Sequence, residues 1–122
     1  MSVAASRESV GDLQTFKAAF FKALAHPVRI RILEELAHGE RSVQEIQSVL
    51  RLEQPVASQQ LSVLRANGVV VGRKTGASVR YSLRDQLVAD LLVVARQIFN
   101  NQLAGSQNLL RQLQKEHRQS RR

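Results

Sequence analysis

The chain has 122 residues, a typical size for one domain and too few for two of ordinary size. Apolar residues make up 43% and charged residues 23%, a globular composition that argues against disorder throughout the chain. The longest wholly apolar run, 91–95, falls far short of the roughly 20 residues of a membrane helix, and the first residues lack a signal-peptide pattern. The absence of cysteine excludes disulfides, thiolate metal sites and thiol catalysis, and we expect a cytoplasmic protein.

The net charge of +8 is concentrated in two segments. Residues 1–50 are neutral overall, because they contain six basic and six acidic residues. Residues 51–84 contain six basic residues and one acid, and residues 111–122 contain five basic residues and one acid. A localised basic block indicates a polyanionic partner, which for such a chain is more often nucleic acid than an anionic membrane.

Apolar spacing and capping residues predict three helices in the first half of the chain. The first carries apolar residues at helical spacing from Leu13 and stops before Pro27, because the residue before a proline disfavours the α conformation. Pro27 suits the first turn of a second helix, which ends near Gly39. Ser42 and Glu45 have the spacing of a capping box that opens a third helix. The predicted inner face of this third helix carries Ile46, Val49 and Leu50.

A fourth helix is predicted from Gln54 to about Gly68. Its core face is set by Ala57, Leu61 and Leu64, which recur at i, i+4 and i+7. At about 100° per residue, the opposite face holds short groups that include uncharged hydrogen-bonding side chains. This outer set is Pro55, Gln59, Ser62 and Ala66, with Ser58 at the side and Gln54 in the first turn. Glutamine can pair with adenine and serine with several bases, so this face suits a DNA groove.

The apolar pattern then changes its period. Two β-rich runs, 69–74 and 77–83, flank Thr75 and Gly76 and predict a hairpin. A long helix follows over 86–104, with an apolar stripe wider than one small domain would bury. Together with the phenylalanine-rich first helix, this stripe predicts a dimer. The predicted dimer-interface residues are Phe16, Phe20, Leu87, Leu91, Val94 and Ile98.

The order of these elements is that of a winged helix-turn-helix, and four segments make the chain resemble the ArsR–SmtB repressors. The segments are FKALAHPVRIRIL (21–33), SVQEI (42–46), LEQPVASQQLSVLRANGVV (52–70) and RKTGASVRYSL (73–83). The resemblance covers roughly residues 13–100. It implies a mainly α fold with a β-hairpin wing, in the order α1-α2-α3-α4-β-β-α5, that dimerises through its first and last helices. It also implies that Gln54, Ser58 and Gln59 read the groove, and that Glu53 stands where the family usually has a capping serine.

These observations predict a homodimeric repressor that binds an inverted-repeat operator in double-stranded DNA and responds to an unidentified effector or partner protein. The predicted DNA-binding residues are Gln54, Pro55, Ser58, Gln59, Ser62, Arg65, Arg73, Lys74 and Arg80. The predicted organisation is a flexible N-terminus (1–10), a winged domain with dimerisation helices (11–104), and a polar, basic, partly helical tail (105–122) that a break at Gly105 precedes.

Other functions remain as alternatives. Family members that sense soft metals use a cysteine pair on the third helix, and here Val43, Gln44 and Glu45 stand there. None of the three histidines lies three or four residues from another, so we predict no metal site and no cofactor. A zinc- or nickel-responsive repressor with a dimer-bridging site at Asp90, Glu116 or His117 is one alternative. A winged-helix module that binds proteins is another, and no constellation of residues indicates an enzyme.

Overall fold

The computed structural model describes residues 2–103 and 106–120, which form six helices and three short strands. In chain order they are α1 (Ser2–Leu24), α2 (Pro27–Leu36), β1 (Arg41–Ser42), α3 (Val43–Leu50), α4 (Gln54–Ala66), β2 (Val70–Thr75), β3 (Ser78–Leu83), α5 (Leu87–Gln102) and α6 (Gln107–Ser120). The elements divide into two compact units, one ending at Asp85 and one that contains α5 and α6. This mainly helical winged arrangement confirms the predicted fold class.

Side-chain caps begin the two short helices that precede α4. His26 caps α2, because its Nδ1 accepts a hydrogen bond from the Val28 amide at 3.1 Å. The predicted capping box at α3 is confirmed: Ser42 Oγ accepts from the Glu45 amide at 3.1 Å, and the Ser42 amide donates to Glu45 Oε1 at 2.8 Å. Each cap satisfies backbone groups that a helix end would otherwise leave unpaired, so the sequence fixes where both helices start.

The core of the first unit is built from α2, α3, α4 and the start of β2. Its most completely buried large side chains are Ile32, Leu33, Leu36, Ile46, Leu61, Leu64, Val69 and Val70. The prediction for Val49 was wrong, because this side chain is 55% exposed. Within the short helix α3, Ile46 and Leu50 stand at i and i+4 and are buried, while Val49 lies off that row.

The three strands form an antiparallel sheet in the order β1-β3-β2. Thr75 pairs with Ser78, so the two-residue turn is Gly76 and Ala77, one position later than predicted. Gly76 has a φ of +62°, which suits the first central position of a type II′ hairpin turn. The strand β1 was not predicted, because its two residues are too few to show an alternating pattern.

The long helices at the two ends of the chain differ from expectation mainly in length. Helix α1 begins at Ser2, so most of the segment expected to be flexible is helical, and its flexibility stays a prediction. Helix α6 continues to Ser120, where the sequence indicated a tail that is only partly helical. The predicted break at Gly105 lies outside the described residues. None of the helices in the described ranges combines the length and apolar character that a membrane span requires.

The start of α4 generates a stability prediction. Glu53 is its N-cap, but the Glu53 side chain makes no capping hydrogen bond. We expect Glu53→Ser to have a free energy of unfolding about 1 kcal/mol higher than Glu53→Ala, because the serine hydroxyl can accept from a first-turn amide and alanine cannot. Urea denaturation of both variants measures this difference. Equal stabilities would show that the α4 N-terminus gains nothing from a side-chain cap.

Candidate nucleic-acid interface

Helix α4 is held rigidly by its inner face. Ala57, Leu61 and Leu64 are each 0% exposed, as the i, i+4, i+7 spacing predicts. A polar contact at the side of the helix adds to this packing: Arg29 Nη1 donates to Gln60 Oε1 at 2.9 Å, and Arg29 Nε donates to the Ala23 carbonyl at 2.6 Å. Arg29 therefore ties α2 to both α4 and the end of α1, and the outward direction of α4 is fixed.

The outer face of α4 carries the predicted reader residues. Gln54, Pro55, Gln59 and Ser62 are exposed, and Ser58 is half-buried. Gln54 Nε2 donates to Ser58 Oγ at 2.8 Å, an i to i+4 contact that orients both side chains. The Ser58 hydroxyl keeps its own hydrogen for donation, and the Gln54 carbonyl oxygen keeps its acceptor sites. The structure thus brings the uncharged hydrogen-bonding groups together on one face.

The turn that separates α3 from α4 contains one strained residue and is stabilised by hydrogen bonds. Arg51 has a φ of +56°, a left-handed conformation that is unfavourable for a residue with a side chain. Its amide and that of Leu52 both donate to the Gln47 carbonyl, which closes the end of α3. Arg31 Nη2 donates to the Leu50 carbonyl at 3.0 Å, so α2 also satisfies the C-terminus of α3. These contacts set how α4 leaves α3.

Two arginines face each other across the middle of the wing, the β2–β3 hairpin (70–83). Arg73 on β2 pairs in register with Arg80 on β3, so two like charges stand side by side. The Glu40 carboxylate joins them: its Oε1 lies 2.8 Å from Arg73 Nη2 and 2.9 Å from Arg80 Nε. Arg80 Nη2 also lies 3.2 Å from Glu45 Oε1 and donates to the Glu40 carbonyl at 3.3 Å. Arg80 is therefore held by the loop before β1 and by α3.

The two carboxylates of this network are ionised at neutral pH. Hydrogen bonds from the Arg80 and then the Arg73 side chain hold the pKa of Glu40 below its ordinary value. The pKa of Glu45 is lowered chiefly by the Ser42 backbone amide, with a smaller contribution from the charge of Arg80. Two negative charges thus offset much of the positive charge contributed by Arg73, Lys74 and Arg80.

The other predicted basic residues point to solvent. Lys74 and Arg65 are exposed, and neither takes part in a side-chain hydrogen bond or ion pair found within residues 2–103 and 106–120. Arg65 lies at the root of the wing, because its Nη1 is 3.6 Å from where a side chain at Gly72 would begin. Arg65 therefore continues the positive charge of the wing onto the C-terminal end of α4.

The sequence did not indicate that Glu40 pairs with the arginines of the wing. Forty positions separate Glu40 from Arg80, and nothing in the local pattern marks this glutamate among the six acids of the neutral first segment. Its position directly before Arg41 and β1 could have indicated a role at the sheet only if β1 itself had been predicted.

The second unit contains a cleft of about 510 Å³ between α5 and α6. Its lining residues are Val93, Arg96, Gln97, Asn100, Asn101, Leu113, Gln114, His117 and Arg118. The lining contains two arginines and no carboxylate, which disfavours a cation beside His117. In the part of the chain that the structure describes, no three histidine, aspartate or glutamate side chains gather as metal ligands. The absence of a dimer-bridging metal site stays a prediction, because such a site needs a second chain.

Comparison with known proteins assigns the family. A model of the helix-turn-helix domain family matches residues 24–73. The HTH-type transcriptional regulator Rv0081 of Mycobacterium tuberculosis is 46% identical over 102 residues, which cover 83% of this chain and 90% of that protein. The crystal structure of Rv0081 superposes with a TM-score of 0.70 at 48% identity, covering 76% of this chain and 94% of that one.

The names of two further relatives give the family or the oligomeric state. The HTH-type transcriptional repressor SmtB of M. tuberculosis is 42% identical over 74 residues, covering 61% of this chain and 55% of that protein. The homodimeric winged helix-turn-helix DNA-binding domain Mb0332 of Mycobacterium bovis, named as a possible ArsR-family transcriptional regulator, has a TM-score of 0.70 at 31% identity. The match covers 80% of this chain and 88% of that one. This chain belongs to the ArsR–SmtB family of transcriptional regulators.

The ion network of this ArsR–SmtB regulator predicts an acid-dependent loss of stability. Because the folded-state pKa of Glu40 and of Glu45 lies below the ordinary 4.5, their contribution is fully present above that pH and is lost as the pH falls through the lowered values. We expect the stability difference between wild type and Arg80→Gln to stay constant from pH 7 to about 5.5 and to shrink below about 4.5. Chemical denaturation over this pH range measures it, and a difference that persists unchanged to pH 3 would contradict the assigned ion pairs.

Proposed function

We propose that this chain is a homodimeric, sequence-specific DNA-binding repressor that reads the major groove with α4. The observation that carries the proposal is the division of α4 into two faces. Ala57, Leu61 and Leu64 are fully buried, while the opposite face presents uncharged hydrogen-bonding groups with basic residues around it. A protein-binding surface would favour exposed apolar or aromatic anchors at this position.

The reader role assigned to α4 follows from its size and chemistry. The major groove is about 12 Å wide and admits one helix. Gln59 can pair bidentately with adenine, and Ser58 and Ser62 can donate to or accept from bases. The Gln54–Ser58 hydrogen bond supports this role, because oriented side chains lose less conformational entropy on binding.

The wing is proposed to hold the DNA backbone. Arg65 and Lys74 are exposed without ionic partners in the described ranges, so both are available to phosphates. The Arg73 side chain is 61% exposed and can reach a phosphate while it remains near Glu40. The 32% exposed side chain of Arg80, engaged with two glutamates, is better suited to position the wing than to clamp DNA.

The dimer is proposed to form through α1 and α5. On α1, Phe16 is 75% exposed and Phe20 is half-buried. On α5, Leu87, Val94 and Ile98 are at least half exposed and Leu91 is half-buried. Exposed apolar stripes of this kind mark interaction surfaces. A two-fold dimer presents its two reader helices about 34 Å apart, which corresponds to an inverted-repeat operator.

Repression would follow from occupancy, since a dimer bound at a promoter blocks access to it. A signal could release the DNA only if it binds the free and the DNA-bound conformations with unequal affinity. This role places the protein in the compartment that contains the chromosome.

The direct test is selection of bound duplexes from a random pool, followed by fluorescence anisotropy with the selected sequence and a scrambled one. We expect an inverted repeat to be recovered and bound at least 10³-fold more tightly than the scrambled duplex at the same salt concentration. Recovery of no consensus, together with equal binding of both duplexes, would contradict the proposal and favour the protein-interaction alternative.

Removal of one reader side chain tests the role of α4. Gln59→Ala should reduce discrimination between the selected operator and single-base variants by roughly 1–3 kcal/mol, the usual value of a bidentate base contact. Competition anisotropy measures this loss. Gln14→Ala, which removes an exposed glutamine from α1, should leave the discrimination as in wild type. Unchanged sequence preference in Gln59→Ala would remove Gln59 from the reader set.

Charge introduced into the α5 stripe tests the dimer. Val94→Glu combined with Ile98→Glu should give a monomer, because four carboxylates would be buried when two chains pair. Both side chains are about half exposed within one chain, so we expect each monomer to keep its fold. Sedimentation velocity at micromolar concentration measures the mass, and circular dichroism checks the helix content. Asn100→Glu on another face of α5 is the control, and a wild-type monomer would refute the proposed interface.

A further inference from the structure

We propose that Glu40 acts as an internal substitute for a DNA phosphate, which occupies the wing arginines in the free protein and thereby limits sequence-independent binding. The inference rests on the proposed function, because it concerns how the wing holds DNA. It assigns to Glu40 a role in the strength of phosphate binding, although Glu40 lies outside both α4 and the wing.

Arg73 and Arg80 form an anion-binding site that the Glu40 carboxylate already occupies. A guanidinium binds carboxylate and phosphate oxygens through the same donors at the same distances. Glu40 Oε1 accepts from Arg73 at 2.8 Å and from Arg80 at 2.9 Å, so one carboxylate oxygen bridges both strands of the hairpin. A phosphate that approaches Arg73 therefore meets a guanidinium whose charge this carboxylate already offsets.

The two glutamates of the network, Glu40 and Glu45, differ in what they stabilise. Glu45 completes the α3 capping box, so its carboxylate is needed to start that helix. The described contacts of the Glu40 carboxylate all involve the facing wing arginines. The charged groups around it are Arg73, Arg80, Glu45 and Arg41, whose Nη1 donates to the Glu40 backbone carbonyl at 2.9 Å, and Lys74 follows on β2. Removal of the Glu40 charge therefore leaves the positive charge of Arg73 and Arg80 less neutralised without removing a helix cap.

The expected consequence is a lower sequence-independent affinity for DNA. Phosphate contacts contribute equally to every sequence, whereas base contacts contribute only at the operator. If Glu40 holds Arg73, the wing makes a weaker phosphate contact on every duplex, and the sequence-independent part of the affinity is lower. The lowered pKa of Glu40 is consistent with this, because the carboxylate remains charged across the neutral range.

The experiment compares wild type with Glu40→Gln on the selected operator and on a scrambled duplex over a range of salt concentrations. The amide keeps the shape of the side chain but removes its charge. We expect affinity for the scrambled duplex to rise roughly 3- to 10-fold at low salt, and the slope of log affinity against log salt to steepen by up to about one unit. Asp12→Asn, which removes one negative charge from α1, should leave the slope as in wild type.

A second pair of variants tests the inference with Glu40 intact. Lys74→Gln should reduce the salt slope by about one unit, and Arg73→Gln should reduce it by clearly less, because Glu40 already neutralises Arg73. Equal reductions by the two variants would overturn the inference. It would also be overturned if Glu40→Gln unfolds at the wild-type temperature and binds the scrambled duplex with wild-type affinity and salt slope. If wild type binds neither duplex, the proposed function itself fails. If wild type prefers its operator and only these differences are absent, the role of Glu40 alone is refuted.

Discussion

The rest of the site depends on the burial of one face of α4. Ala57, Leu61 and Leu64 are fully buried, and truncation of a buried leucine to alanine typically costs about 2–5 kcal/mol, so the rotation of α4 about its own axis is strongly fixed. Because that rotation is fixed, the polar side chains on the other face have one direction in which to point. The outer face can then vary in sequence without loss of the fold, which is how one scaffold presents different readers.

Features that depend on neighbours along the chain were predictable. The capping box at Ser42 and Glu45 and the inner face of α4 depend on residues three to seven positions apart, and the structure confirms both. The winged order followed from the change of period after α4 and from the family resemblance. The exposed positions of Gln59 and Lys74 followed from the same patterns, although their contacts with DNA stay a prediction.

Features that depend on distant residues were not predictable. Arg80 is predicted to contact the DNA backbone because it is basic and lies on the wing, and this role stays a prediction; what the sequence did not indicate is that Glu40 and Glu45 pair with it. Periodicity does not reveal such a partner, because Glu40 is brought next to Arg80 by the pairing of β1 with β3, and β1 has only two residues. The error for Val49 has a similar cause, because an eight-residue helix is buried only along the row that its neighbours cover.

A methylation-protection footprint on the selected operator tests the central claim most directly. Methylation of guanine N7 reports on the major groove, where α4 is proposed to lie. The account predicts protection in two half-sites whose centres are about one helical turn apart, related by two-fold symmetry. Protection confined to a single unsymmetrical site, or tight binding with every guanine N7 still reactive, would contradict a dimer that reads the major groove through α4.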